Sequence, residues 1–240
     1  GDFNFRDSIG IDASDLSCHP NKSIAAISHK QSITFYDYEK QKIIGTYVVH
    51  KQNIKDIDFS PDGSMLASCS DDSYINITDP ETGALLKQIK NGKAKMNSIA
   101  WSPDGTKILS LNVAGTAAVW DVGSAAKLQV FGDALNPVLS IDWSPEGSRV
   151  AYSINEGVKI FETKNWQEIL EVKTPNGSVR DIQFSPDGSK ISCCHTDTTL
   201  KIWNAQDGTL LKEFRGHSLQ INQARWNSSG TKIVTASNDG

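Results

Sequence analysis

Trp101-Ser102-Pro103-Asp104-Gly105-Thr106 decides the reading of this chain, because proline, aspartate and glycine in that order prescribe a tight reversal. The proline presets φ for the first corner of a type I turn, the aspartate suits the second, and the glycine takes the left-handed position that returns the chain as a hairpin. Close copies stand at Phe59-Ser60-Pro61-Asp62-Gly63-Ser64, Trp143-Ser144-Pro145-Glu146-Gly147-Ser148 and Phe184-Ser185-Pro186-Asp187-Gly188-Ser189. Looser ones are Trp226-Asn227-Ser228-Ser229-Gly230-Thr231 and Cys18-His19-Pro20-Asn21-Lys22-Ser23. The anchors Cys18, Phe59, Trp101, Trp143, Phe184 and Trp226 follow one another at intervals of 41 or 42 residues. So regular a period marks stacked or radially arranged units, none of which buries its hydrophobic face alone.

Each unit reads as four strands. In the second, Ile54, Ile57 and Phe59 outline a first strand, and Met65 to Cys69 form a short apolar second strand after the turn. Ser70-Asp71-Asp72-Ser73 turns the chain again, Tyr74-Ile75-Asn76-Ile77-Thr78 alternates as a third strand, and Ala84 to Ile89 is a fourth. No amphipathic helical stripe interrupts the scheme. The expected fold is therefore all-β, with residues 1 to 240 forming one domain of six visible repeats, the last incomplete.

Composition narrows the function classes. A net charge of -4 lacks the basic footprint of a dedicated nucleic-acid binder, so no nucleic-acid partner is expected. Cys18, Cys69, Cys193 and Cys194 lack CxxC spacing and fall in expected strands, which points to buried free thiols in a reducing compartment. No apolar run is long enough to cross a bilayer as a helix, and no signal peptide is evident. The glycosylation-type triplets at Asn21, Asn76, Asn176 and Asn227 are the kind that Ser/Thr-rich turns produce by chance.

The third strands add a second signature. Ile33-Thr34-Phe35-Tyr36-Asp37, Ala117-Ala118-Val119-Trp120-Asp121, Val158-Lys159-Ile160-Phe161-Glu162 and Leu200-Lys201-Ile202-Trp203-Asn204 each end in an aromatic residue followed by an acid or amide. Together with the period and with Gly216-His217 ahead of the last unit, this resembles the WD-repeat β-propeller family over essentially the whole chain. The resemblance implies a ring of four-stranded antiparallel blades around a central channel, with each first strand innermost. Family frequency favours seven blades. On that count the sequence is truncated at its C-terminus, the segment from Phe3 to Ile9 is the last strand of a closing blade, and the free chain is expected to self-associate.

The family's hydrogen-bond tetrad joins a histidine before the first strand, a Ser or Thr on the second, an aspartate in the next turn and a third-strand tryptophan. His50, Ser68 and Asp72 match in unit two, where Thr78 replaces the tryptophan, and His217, Thr235 and Asp239 match in unit six. Units three and five keep Trp120 and Trp203 but carry Gly92 and Pro175 at the histidine position. These residues are expected to be structural rather than catalytic, since buried polar networks persist by being satisfied.

No G-x-S-x-G, H-E-x-x-H or phosphate-loop motif occurs, and no two of the five histidines share metal-ligand spacing. The expectation is a non-enzyme with no cofactor and no metal. It would be a protein-interaction scaffold that binds proteins or peptides within a larger cytoplasmic, transport or cytoskeletal assembly. By position, the resemblance implies a partner-binding rim of Asp12, Asn53, Lys95, Pro137, Ser178 and Gln220, each third after the histidine site, and of His29, Asp71, Val113, Asn155, Thr196 and Asn238, each just before the turn-aspartate site. Two rival readings are a propeller enzyme or small-ligand binder using the channel, and an anionic-membrane-surface module using Lys87, Lys90, Lys93 and Lys95. The Phe214-Arg215-Gly216-His217 stretch has one arginine too few for a phosphoinositide-binding signature, and membrane contact is not expected.

Overall fold

The computed structural model describes residues 13–132, 137–174 and 177–239, and every regular element among them is a strand. The first sheet consists of β1 (Asp15–Cys18), β2 (Ile24–His29), β3 (Ser32–Asp37) and β4 (Lys42–Val48). The second has β5 (Ile54–Phe59), β6 (Leu66–Ser70), β7 (Tyr74–Thr78) and β8 (Leu85–Lys90). The third has β9 (Met96–Trp101), β10 (Lys107–Asn112), β11 (Ala117–Asp121) and β12 (Lys127–Phe131). The fourth comprises β13 (Ile141–Trp143), β14 (Arg149–Ile154), β15 (Gly157–Glu162) and β16 (Glu168–Lys173). The fifth is built of β17 (Val179–Phe184), β18 (Lys190–His195), β19 (Thr199–Asn204) and β20 (Leu210–Arg215), and β21 (Ile221–Trp226) with β22 (Ile233–Ser237) makes a two-stranded sixth. In every sheet the spatial order follows the sequence order. All six anchors end first strands.

The turns form for the reason their composition dictates. Gly63 and Gly105 stand at φ of 77° and 68°, and their N–H groups donate to the carbonyls of Ser60 and Ser102 at 2.8 and 2.9 Å. A side chain at this φ is strained, so glycine is the residue that fits. Ser60 Oγ donates to Asp62 Oδ1 at 2.7 Å and accepts the Met65 N–H at 3.0 Å, which locks the hairpin from inside. In the divergent first copy His19 takes this part, its Nδ1 accepting the N–H groups of Asn21 and Lys22 at 3.0 and 3.1 Å.

The third and fourth strands of each complete sheet share a bulge, placed just before the aromatic or Thr78 position, at Phe35/Tyr36, Ile77/Thr78, Val119/Trp120, Ile160/Phe161 and Ile202/Trp203. An extra residue there deepens the local twist.

Two compact units make up the chain, Gly1–Ile99 and Ala100–Gly240, the boundary falling inside β9. Within the first, Ala26, Ile33 and Phe35 pack on Ile54, Ile57, Phe59 and Leu66 of the next sheet. Within the second, Leu109, Val119 and Phe131 meet Val138, Trp143, Val150 and Tyr152, while Val158 and Ile160 meet Ile182, Phe184 and Ile191. Each such large side chain contributes about 1.5–3 kcal/mol by leaving water.

Cys69, Cys193 and Cys194 are buried free thiols, but Cys18 is exposed, which corrects the expectation of four buried cysteines. The alternation of β1 places Leu16 and Cys18 on its exposed face. Asn76, in one of the glycosylation-type triplets, is 2% exposed with its amide bonded to the Val49 carbonyl at 2.5 Å, which leaves no access for a glycan.

Candidate functional site

In unit two the loop after β4 lowers His50 between β6 and the turn that follows it. The His50 Nε2 lies 2.9 Å from Ser68 Oγ, and Nδ1 lies 3.1 and 3.0 Å from the two carboxylate oxygens of Asp72. Burial, only partly offset by Asp72, holds the His50 pKa below its ordinary value, so the ring is neutral. Its Nδ1–H donates to Asp72 and its Nε2 accepts the serine hydroxyl. Asp72 is itself opposed by burial, yet the N–H groups of Lys51 and Tyr74 together with His50 hold its pKa below the ordinary value. Where a tryptophan is missing, Thr78 Oγ1 donates to the Leu66 carbonyl at 3.3 Å.

His217 repeats the arrangement in unit six, with Nε2 2.8 Å from Thr235 Oγ1 and Nδ1 3.0 Å from Asp239 Oδ1. In unit three, Trp120 Nε1–H donates to Ser110 Oγ at 2.8 Å. In unit five the corresponding Trp203 N–H is buried with no acceptor among the described residues, because Cys193 occupies the place of Ser110. Pro175, at that unit's histidine position, lies outside the described residues.

Six of the rim residues meet in three pairs, each within its own sheet. The Asp71 N–H donates to the Asn53 carbonyl at 3.0 Å, Thr196 to Ser178 at 3.1 Å and Asn238 to Gln220 at 3.3 Å. Ser178 N–H also donates to Thr196 Oγ1 at 3.1 Å. Val113 and Asn155 are exposed at their turns, Pro137 and His29 are half-buried, and Asp12 lies outside the described residues, as does the segment from Phe3 to Ile9. The lysine run is divided: Lys87 and Lys90 belong to β8, with Lys90 over the Tyr74 ring at 5.8 Å, whereas Lys93 and exposed Lys95 stand in the loop beyond. Lys95 Nζ lies 3.8 Å from Asp71 Oδ1, and Lys55 Nζ lies 3.3 Å from Asp71 Oδ2.

Sequence reading missed a set of polar side chains on the first strands that reach the backbone of the next first strand. Asp15 Oδ2 accepts the Ile57 N–H at 2.9 Å, Ser17 Oγ accepts that of Phe59 at 3.2 Å, and Asp56 Oδ2 accepts Ser98 Oγ–H and Ile99 N–H at 2.7 and 2.8 Å. In the second unit Ser140 Oγ receives Ile182, Asp142 receives Phe184, Asp181 receives Ala224 and Gln183 receives Trp226, at 2.7 to 3.1 Å. These bonds satisfy donors on the edges of β5, β9, β17 and β21 that no sheet neighbour covers. Burial pushes Asp56 above the carboxylate range, reinforced by the hydrogen-bonded Asp15, and pushes Asp142 up to about 7 against the bond from Phe184. The signal was available: polar residues recur three and one positions before most anchors.

The model of the WD40 domain of anaphase-promoting complex subunit 4 matches residues 17–104 and 141–229, more than half of the chain. This chain belongs to the WD-repeat family. Among WD-repeat relatives, a WD repeat-containing protein 55 homolog of Drosophila ananassae is 37% identical over 76 residues, which is 30% of this chain and 16% of that protein. The WD repeat domain-containing protein 83 of Xenopus tropicalis is 44% identical over 45 residues, 19% of this chain and 14% of that one. The matches thus span a small part of these relatives' length. The sheets are WD-repeat blades.

Proposed function

We propose that this chain is a non-catalytic protein-interaction scaffold, serving as one module of a larger cytoplasmic, transport or cytoskeletal assembly. One observation carries the reading. Backbone bonds such as Asp71 to Asn53 and Thr196 to Ser178 fix short turns at which Asn53 and Thr196 are exposed, while His50, Asp72, His217 and Asp239 are consumed in internal hydrogen bonds. A rigid set of loops presenting varied polar groups suits recognition of peptides and domains, and WD-repeat relatives support the same reading.

The test is affinity capture from the source cell with the wild-type chain and with a variant carrying Asn155→Arg and Thr196→Arg on exposed turns. A defined set of proteins should be captured by the first and lost from the second, at equal thermal stability. Recovery of the same set by both would remove the rim from consideration.

A further inference from the structure

Four loops of the first unit converge at one end of its sheets. The Ile54 N–H donates to the Lys30 carbonyl at 2.6 Å, Val49 to Gln31 at 3.0 Å, Asp71 to Asn53 at 3.0 Å and Asn91 to Ser73 at 3.0 Å. These bonds tie segments 29–31, 49–55, 70–73 and 91–95 together, and they carry Lys30, Lys51, Lys55, Lys93 and Lys95 against only Asp71 and Asp72 as acids. Asp72 is committed to His50 and to the Lys51 N–H. Among the described residues Asp71 faces the ammonium groups, and it is bracketed by two of them, Lys55 at 3.3 Å and Lys95 at 3.8 Å. A chain of net charge -4 thus gathers a cationic surface from residues far apart in sequence.

We infer that this surface binds an acidic, extended segment of a partner protein, whose Asp or Glu side chains bridge Lys55 and Lys95 beside Asp71 and reach Lys51 and Lys93. The inference rests on the scaffold reading and deepens it by giving the partner's chemistry. Charge complementarity selects such a partner and speeds its encounter. All five lysines are exposed, so they are available to it, and Asp71 already holds two of them in place. A protein segment fits better than an anionic membrane because a single exposed valine, Val48, borders these loops among the described residues, which is too little apolar surface to enter a bilayer.

The experiment measures fluorescence anisotropy of a labelled Asp/Glu-rich peptide against the 240-residue chain, beside a peptide of equal length with Asn and Gln in their place. The acidic peptide should bind, the amide control should not, and affinity should fall as salt rises from about 50 to about 300 mM. Lys55→Glu with Lys95→Glu should weaken binding at least about tenfold. Lys55→Gln with Lys95→Gln should weaken it less, and Lys212→Glu with Lys232→Glu in the second unit should leave it within about twofold. Melting curves identify any variant that fails to fold, in which case the glutamine pair decides. Equal weakening by the Lys212 and Lys232 changes, no preference over the amide control, or binding to phosphatidylserine vesicles without binding to the peptide would each overturn the inference. A captured protein lost from the Asn155→Arg, Thr196→Arg variant but retained by Lys55→Glu with Lys95→Glu would overturn it while leaving the scaffold reading intact.

Discussion

At residue scale, two third-strand tryptophans behave in opposite ways. Trp120 has its hydroxyl acceptor in Ser110, whereas Trp203, paired with Ile191 in the same register that pairs Trp120 with Ile108, faces the buried Cys193 thiol. A thiol is a weak acceptor, and the indole N–H stays unsatisfied. Cys193→Ser should therefore stabilise the chain by about 0.5–1.5 kcal/mol, read as a higher denaturation midpoint at unchanged slope. An equal gain from Cys193→Val would show that the hydrogen bond is not the cause. Asp72 accepts from His50 and from the N–H groups of Lys51 and Tyr74. Asp72→Ala strands these donors and should cost about 1–3 kcal/mol in equilibrium unfolding, with Asp72→Asn losing less. Because the His50 pKa is lowered by burial, its share of stability is present above the unfolded value of 6.5 and is lost as pH falls below that value.

At the scale of the element, the first strands are joined by side chains instead of by a backbone ladder. Asp142 is the most telling member, since burial raises it from 3.8 to about 7 while its Oδ2 holds the Phe184 N–H at 2.7 Å. A raised acid is protonated in the folded chain when the unfolded chain has already lost its proton, so it withdraws stability as pH climbs from 3.8 through about 7. Asp142→Asn keeps the carbonyl acceptor and removes the titration. The variant should therefore gain on the wild type between pH 5 and pH 8 in urea unfolding, both values bracketing the window approximately. A gap that does not change with pH would mean that the acid titrates alike in both states.

Over the whole molecule the sixth sheet differs from its predecessors. Strands β6, β10, β14 and β18 are buried along almost their full length, whereas β22 alternates half-buried and exposed residues, with Val234 at 68% exposure. Among the described residues β22 pairs with β21 alone. An edge left unpaired among the described residues, beside an exposed apolar side chain, invites pairing with another chain. The 240-residue polypeptide should self-associate in sedimentation velocity, and Val234→Lys should reduce the association. A wild-type chain that stays monomeric at the highest concentrations would count against this.

Local chemistry made much of the architecture legible in the amino-acid order. Ser-Pro-Asp-Gly closes a hairpin wherever it stands, and the even spacing of its copies announced the sheets; the spacing from His50 to Asp72 sufficed to bring those two side chains together. Other features depend on which loop or strand lies beside which, and sequence distance does not carry that information. The lysines of the first unit are cationic wherever they occur, but only the bonds between loops make Lys30, Lys55 and Lys95 neighbours and divide them from Lys87. Likewise Asp142 and Asp56 are ordinary carboxylates in an open chain; packing one first strand against the next half-buries them, supplies their donors and raises their pKa.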